Sequence, residues 1–248
     1  MKNKFITYRY MVNIKKYSGG NALAYIKRMK NNLVFFIIFI IITIVTVVLV
    51  KRYRYKHKYE PILISKSRNI KPLIIPNKKL IKSEEGIQFA YSFWIFMDSV
   101  SGSGNWNSNY YDERNIMRKD NAPGIYYTPE TNLFRIGIRT RTDEENIEMF
   151  DIKNIKLQEW VHFVVSLNNR TLDVFIDGEL KHSFITENVP ILNDNALIVG
   201  SIKTKVNGRL TNLRYFNNSL DNKRVEALYN NGKTKSIPNP STFWWIFT

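Results

Sequence analysis

Hydrophobic and polar residues alternate from Gln158 to Phe184 in a pattern that predicts three consecutive β-strands. Val161, Phe163, Val165 and Leu167 share one face of the first strand, as in a strand with one dry side. Asn168-Asn169-Arg170 predicts the first turn. Asp177-Gly178, between two alternating runs, predicts a tight hairpin because both residue types tolerate positive φ. The segment is therefore predicted to be the central meander of an antiparallel sheet.

Shorter hydrophobic runs, separated by turns rich in Gly, Pro, Asn and Asp, predict further strands on both sides of this meander. A polar-capped segment near the end of the chain predicts one short helix over 223–229, with Asp221 as its N-cap. This succession indicates an all-β fold. The further predicted strands cover residues 87–97, 116–118, 124–127, 133–140, 147–151, 196–200 and 208–216.

Several motifs occur in the order found in one known family. Phe93-Trp94 ends an early strand, Trp160 opens the meander, and Asp-Gly-x-Leu follows at 177–180. Gly-x-Leu-x-x-Leu-x-x-Phe at 208–216 leads into a Ser-Leu-Asp and helix pattern at 219–232. Over residues 87–232 the chain resembles the concanavalin A-like lectin/glucanase superfamily, specifically its laminin G-like domains. The resemblance implies an antiparallel two-sheet jelly-roll sandwich with one short C-terminal helix.

Residues Leu33–Val50 form a run of 18 residues without a charge. At about 1.5 Å per helical residue, this run roughly matches the ~30 Å hydrocarbon core of a bilayer. A buried core helix would show a polar side, which this run lacks. A signal peptide has an apolar region of about 7–15 residues, and no small-x-small cleavage pattern precedes Lys51. We therefore expect an uncleaved signal anchor, a single transmembrane helix whose partner is the lipid bilayer.

The remaining chain divides by composition into three parts. Residues 1–32 are predicted to be a basic tail, either a solvated leader or a segment held against anionic headgroups. Residues 51–82 are interpreted as a basic, Tyr-containing flank followed by a Pro-containing stalk. Residues 83–248 are the predicted laminin G-like domain. In an alternative, Ile70–Ile75 is already the first strand of that domain, laid along its edge.

The formal net charge of +16 belongs to the N-terminal part of the chain. Residues 1–60 contain 13 Lys and Arg against one acidic residue, whereas residues 83–248 contain 18 against 20. Nucleic acid is therefore not an expected partner of the domain. Charges next to the apolar run favour a cytosolic C-terminus. The acid-free tail, and the location of the resembled family outside the cytosol, favour an extracellular, lumenal or virion-surface domain. We expect this second orientation.

Candidate site residues lie in predicted loops. Trp106, Asn107 and Tyr110 follow a Gly- and Ser-rich stretch, where an aromatic ring either stacks on a ligand or packs over its own loop. The resemblance implies that calcium is a possible cofactor, and three loop aspartates are candidates by residue type and position only. Two sequons agree with a lumenal domain. The candidate calcium ligands are Asp98, Asp143 and Asp194, and the candidate glycosylation sites are Asn169 and Asn217.

Catalytic patterns are missing from the sequence. The chain has no cysteine, which excludes thiol chemistry and disulfides. Endoglucanases of the resembled superfamily carry a Glu-x-Asp-x-x-Glu strand that this sequence lacks. We therefore expect no enzyme activity, but a membrane-anchored module that recognises a glycan or protein through its loops. Alternatives are a structural membrane or viral-envelope protein without a dedicated ligand and, third, a glycan-cleaving enzyme.

Overall fold

The computed structural model describes residues 2–98, 114–141, 146–202 and 206–235. These residues form two α-helices, α1 (Lys2–Tyr59) and α2 (Asn222–Lys235), and short 3-10 turns at Asn77–Lys79 and Pro129–Thr131. Fourteen strands complete the described part of the chain. In chain order they are β1 (Ile62–Ile64), β2 (Arg68–Asn69), β3 (Leu73–Ile75), β4 (Gln88–Met97), β5 (Arg114–Arg118), β6 (Gly124–Thr128), β7 (Leu133–Arg141), β8 (Asn146–Lys153), β9 (Trp160–Asn168), β10 (Thr171–Ile176), β11 (Glu179–Ile185), β12 (Val189–Pro190), β13 (Leu197–Val199) and β14 (Gly208–Phe216).

The strands form two sheets of seven strands each. Sheet A has the order β1-β14-β4-β9-β10-β11, with β2 also paired to β14. Sheet B has the order β12-β7-β6-β5-β13-β3, with β8 also paired to β7. All strand pairs within the described residues are antiparallel. The predicted two-sheet jelly-roll sandwich is confirmed.

The core lies between the sheets and is filled by every second residue of the central strands. Phe93 of β4 and Phe163 of β9 pack 5.5 Å apart between ring centroids, and Phe134 of β7 closes on Phe163 at 5.5 Å from the opposite sheet. All three side chains are fully buried. The predicted hairpin turn is also confirmed, since Asp177 and Gly178 have φ values of 53° and 88°. A type I′ turn requires such values at both central residues.

Helix α1 is one continuous helix and extends beyond the predicted span at both ends. The Gly19-Gly20 pair does not interrupt it, and it stops just before Pro61, whose ring disfavours helix in the preceding residue. The large apolar residues from Leu33 to Val50 are exposed, Phe35 to 70%. Among the described residues, this is one helix that is long and apolar enough to cross a membrane. The chain divides into two compact units, Met1–Arg54 and Tyr55–Thr248.

Residues interpreted as a stalk belong to the sheets. Strands β1 and β2 pair with β14, and β3 pairs with β13 at the edge of sheet B, so the edge-strand alternative for this segment describes the structure better. The strands are two or three residues long, too short to show a period, and Pro72 and Pro76 flank β3. Four hydrophobic side chains nevertheless enter the core, with exposed fractions of 6% or less: Ile64, Ile70, Ile75 and Leu80.

We predict that a fragment comprising residues 55–248 folds cooperatively and that a fragment starting at residue 83 does not. The shorter fragment lacks these four core side chains, and burial of each contributes about 1.5–3 kcal/mol. Their sum is comparable with the ~5–15 kcal/mol total stability of a domain. Thermal unfolding followed by near-UV circular dichroism compares the two fragments. Equal midpoints would show that the segment before residue 83 is dispensable.

Candidate functional site

Helix α2 covers the outer face of sheet A. Leu220 and Val225 pack on a second hydrophobic cluster contributed by β4, β9, β10 and β14, which includes Val164 and Phe175. The backbone N–H of Arg224 donates to Asp221 Oδ1 at 2.7 Å, which confirms the predicted N-cap. Helix α2 extends further towards the C-terminus than predicted, but it begins directly after the predicted N-cap, Asp221. This face of the sandwich is therefore closed.

A buried aromatic stack continues this closed face. The ring centroid of Trp94 lies 5.6 Å from that of Tyr229 on α2 and 5.1 Å from that of His162. Ser92 Oγ and His162 Nε2 are 2.9 Å apart and form a hydrogen bond. Both residues are almost fully buried, at 3% and 1% exposure. This Ser–His pair is thus sealed from substrate, and burial lowers the pKa of His162 to about 4.

Close packing over the stack depends on Gly232. A Cβ at this position would collide with the Trp94 indole ring. Gly178 lies similarly close to Tyr229, where an added Cβ would come within 3.0 Å of the ring. Two glycines therefore set how near α2 and the Asp177-Gly178 turn approach the stack.

The outer face of sheet B is not covered by any described element and carries polar groups beside apolar side chains such as the exposed Met149. Tyr126, Arg135 and Asp151 lie side by side on β6, β7 and β8. Arg135 donates through Nε and Nη2 to the two carboxylate oxygens of Asp151, at 2.7 and 3.0 Å. Their side chains are 32% and 38% exposed, and this hydrogen bonding lowers the pKa of Asp151. The pair presents a fixed, accessible set of donors and acceptors.

Two facing glycines create space on the same surface. Gly124 and Gly137 lie opposite each other on β6 and β7. A Cβ on either would meet Asn121 Oδ1, so the Asn121 side chain lies over the strands in the space that the glycines leave. Tyr126 Oη donates to Asn121 Oδ1 at 2.5 Å. The amide and the phenol are thereby held in position on the open face.

A polar network secures the turn that carries Asn121. Asp120 Oδ1 accepts from Arg139 Nη2 at 3.0 Å, and Asp120 Oδ2 accepts from Asn195 Nδ2 at 3.0 Å. Asp120 and Asn121 have φ values of 47° and 54°, which Asp and Asn tolerate better than most residues. These bonds tie the β5–β6 turn to the strand β7 and to the segment before β13. The strained turn is thus anchored on two sides.

Lys119 lies beneath this network. It is 5% exposed, and its Nζ donates to the backbone and side-chain oxygens of Asn193 at 2.5 and 3.0 Å. Asn193 Nδ2 in turn donates to the Lys119 carbonyl oxygen at 2.9 Å. Burial lowers the pKa of Lys119 to about 8. A perturbed, hydrogen-bonded lysine beside an open polar face is typical of functional regions as well as of structural networks.

The described candidate calcium ligands each have a basic neighbour. Asp194 accepts from Lys82 at 2.9 Å and from Asn77 at 3.1 Å. Asp98 lies 4.0 Å from the guanidinium of Arg209. Among the described residues, no three His, Cys, Asp or Glu side chains are grouped to hold a metal ion. These two aspartates therefore do not fit a shared calcium site, and Asp143 lies outside the described residues.

The other candidates have separate positions. Trp106, Asn107 and Tyr110 lie outside the described residues, in the connection between β4 and β5. Asn169 is exposed in the β9–β10 turn. Asn217 is 8% exposed, and its backbone N–H donates to the Tyr59 carbonyl at 3.2 Å.

Sequence reasoning treated the residues of the sheet B face as turns or strands only. Asn121 was part of a predicted turn, and Arg135 was part of a predicted strand. A usable signal was the glycine in each of two neighbouring predicted strands, Gly124 at the start of one and Gly137 inside the other, because a strand glycine marks a close approach. That Asn121 fills this space was not predictable, because the register of β6 and β7 is not encoded locally.

Comparison with known protein families identifies the family to which this two-sheet sandwich belongs. A laminin G model, described as belonging to the concanavalin A-like lectin/glucanase superfamily, matches residues 73–226, which are 154 of the 248 residues. The chain belongs to this superfamily. The expected family is therefore confirmed, and the concanavalin A-like match begins with β3 rather than at residue 83. No curated protein has a sequence that matches the chain significantly.

Solved structures with a similar fold include binding domains of botulinum neurotoxins. The serotype G binding domain is 14% identical, with a TM-score of 0.47 over 68% of this chain and 47% of that chain. The receptor binding domain of neurotoxin D is 15% identical, with a TM-score of 0.47 over 60% and 38%. The DC binding domain, solved with rat synaptotagmin II, is 15% identical, with a TM-score of 0.46 over 58% and 35%. This concanavalin A-like chain thus spans less than half of the length of those structures.

We predict that the stability of the 55–248 fragment falls as the pH drops from about 6.5 towards 4. The pKa of His162 is near 4 in the folded state against an ordinary value of 6.5, so the unfolded chain binds a proton that the folded chain excludes. The loss is on the order of 3 kcal/mol for one histidine, and the stability is fully present above this range. Urea unfolding at pH 7, 5.5 and 4.5 measures it.

The variant His162→Gln should flatten this pH dependence, whereas His182→Gln, which removes an exposed imidazole, should preserve it. An unchanged slope in His162→Gln would assign the effect to other groups.

Proposed function

We propose that the chain is a membrane-anchored, non-catalytic binding module that recognises a glycan or a protein surface on the outer face of sheet B. One observation carries this proposal: α2 covers the outer face of sheet A, whereas the outer face of sheet B is open and carries a fixed array of polar groups. The β4–β5 connection with Trp106, Asn107 and Tyr110 leads into β5 of the same sheet, and we include these residues in the proposed surface.

The chemistry of this face suits a hydroxyl-rich or polar ligand. Arg135 and Asp151 hold each other in a fixed bidentate pair that presents charged groups to a ligand, and Tyr126 adds an aromatic ring beside them. Asn121 is held over the strands by its hydrogen bond from Tyr126. Because these groups are already fixed, a ligand that binds them immobilises few additional side chains. Recognition of this kind needs no catalytic group.

The anchor in this proposal is the apolar part of α1. The 18 residues from Leu33 to Val50 are uncharged, and the apolar window of this helix is 0% buried. The hydroxyls of Thr43 and Thr46 donate to the carbonyls of Phe39 and Ile42 at 2.8 and 2.7 Å. Their polar atoms are thereby satisfied within the helix, as a bilayer requires. We place the domain outside the cytosol, where Asn169 is the exposed glycosylation acceptor.

We predict that Arg135→Gln weakens binding of the ligand by about tenfold or more, because it removes the cation of the pair and a hydrogen bond to a charged group contributes about 1.5–3 kcal/mol. The full chain, immobilised from detergent, is first screened on glycan and protein arrays, and the retained ligand is then titrated. Lys181→Gln is the matched control, since it removes another exposed strand cation that is paired with an acid, Glu179, on sheet A. No retained ligand, or equal losses in both variants, would favour a purely structural role.

We predict that the full chain resists extraction from membranes by alkaline carbonate and that Ile41→Lys with Val45→Lys releases it. Each lysine at the centre of the span costs about 2.5–3.5 kcal/mol of insertion free energy. Thr43→Ala with Thr46→Ala is the control and should remain membrane-bound. Protease protection of sealed membranes, with Asn169→Gln to detect a glycan, reports the side on which the domain lies. Release of the unaltered chain would contradict the anchor.

A further inference from the structure

The chain forms an arch over residues 63–73, where it passes from β1 through β2 to β3. The arch borders an open surface pocket of about 560 Å³ that is lined by the arch's own residues. Most of this arch precedes the segment matched by the superfamily model, which begins at residue 73. The pocket is therefore a feature of this chain that the superfamily match does not cover.

The arch is fixed to the sandwich at several points. Ile64 and Ile70 of the arch are buried, at 6% and 4% exposure. The Ile70 backbone N–H donates to the Gly208 carbonyl at 3.0 Å, and Arg68 pairs with Leu210 of β14. A Cβ on Gly200 would come within 2.7 Å of the Lys71 carbonyl carbon, so the arch also packs closely on the end of β13. The pocket thus has a defined wall.

Positive charge in this pocket is not neutralised by any residue that the structure describes. Lys66, Arg68 and Lys71 line it, and its lining contains no acidic residue. Residues 61–82 contain six Lys and Arg and no Asp or Glu. Within the described part of the chain, none of the three side chains has an ion pair or hydrogen bond, whereas Arg135 and Arg139 each face a carboxylate. Three cationic residues thus line one pocket, and no acidic side chain in the described part of the chain pairs with them.

The remaining lining side chains favour an oxyanion with several acceptor oxygens. Ser65 and Ser67 supply hydroxyl donors, and Asn69 supplies an amide. A guanidinium donates to two oxygens of one phosphate, while a lysine acts as a point charge. A carboxylate, with a single charge, would leave two cations unneutralised. A phosphate monoester carries about −1.5 to −2 charges at neutral pH and three acceptor oxygens.

We propose that the pocket of the 63–73 arch binds a phosphate monoester group, carried either by a lipid headgroup or by a small soluble phosphate. Its position on the β1–β3 arch separates it from the outer face of sheet B. The site therefore acts independently of the glycan or protein recognition proposed for that face. Loss of one site leaves the other intact.

The test uses the full chain in nonionic detergent and measures its thermal midpoint during titration with inorganic phosphate, against sodium chloride of equal ionic strength. We expect a saturable rise in the midpoint with phosphate, because a ligand that binds only the folded state stabilises it. Lys66→Gln with Arg68→Gln and Lys71→Gln should weaken phosphate binding at least tenfold. Lys78→Gln with Lys79→Gln and Lys223→Gln removes the same charge from exposed positions outside the pocket and should preserve binding.

Arg68→Lys keeps the positive charge but removes the bidentate guanidinium. We expect it to weaken phosphate binding less than the triple variant does, and this result stands even if the triple variant does not fold. Dihexanoyl phosphatidic acid binding at least tenfold more tightly than inorganic phosphate would identify a lipid source. Equal affinities would identify a soluble phosphate, and both results support the site. Absence of a saturable effect beyond that of chloride, or equal losses in the two triple variants, would overturn the proposal.

Discussion

The cover that α2 provides over sheet A is the constraint on which the rest of the structure depends. Strands β4 and β9 are buried on both faces, so the sheet has no face that water can wet at its centre. The outward side chains of Ala90, Trp94 and Val164 require an apolar lid, and the hydrophobic side of α2 supplies it. Once this lid is in place, the sandwich retains one uncovered face within the described residues. Because of this asymmetry, sheet A packs against α2, and sheet B presents the uncovered face.

The uncovered face is organised by polar contacts rather than by apolar packing. The turn after β5 is held by Asp120 and Lys119, each of which has partners from distant parts of the chain. A buried ammonium with two oxygen acceptors is tolerated where an unpaired one would not be. The network therefore gives the β5–β6 turn a single arrangement, and Asn121 is placed over the strands as a result. Stability and the shape of the candidate surface depend on the same bonds.

Features encoded by neighbouring residues were predictable from the sequence, and those made by distant residues were not. Asp177-Gly178 and Asp221 act within a few positions, so the hairpin and the helix cap were readable directly. The contact of Lys119 with Asn193 joins residues 74 positions apart. Strands β1 to β3 have only two or three residues each and exist through their pairing with β13 and β14. The helix α2 was predicted from its local pattern, but its position over the outer face of sheet A was not.

The continuity of α1 with β1 has a mechanical consequence. Only Glu60 and Pro61 separate the helix from the first strand, and Glu60 forms an ion pair with Arg224 at 2.7 Å. Tension applied along the chain from its N-terminal side would load the contacts of Tyr59 and Glu60 with Asn217 and Arg224 and then the β1–β14 ladder. That ladder is three residues long on the β1 side. Resistance of this segment to mechanical unfolding would therefore depend on the burial of the Ile64 and Ile70 side chains as well as on the few hydrogen bonds of the short ladder.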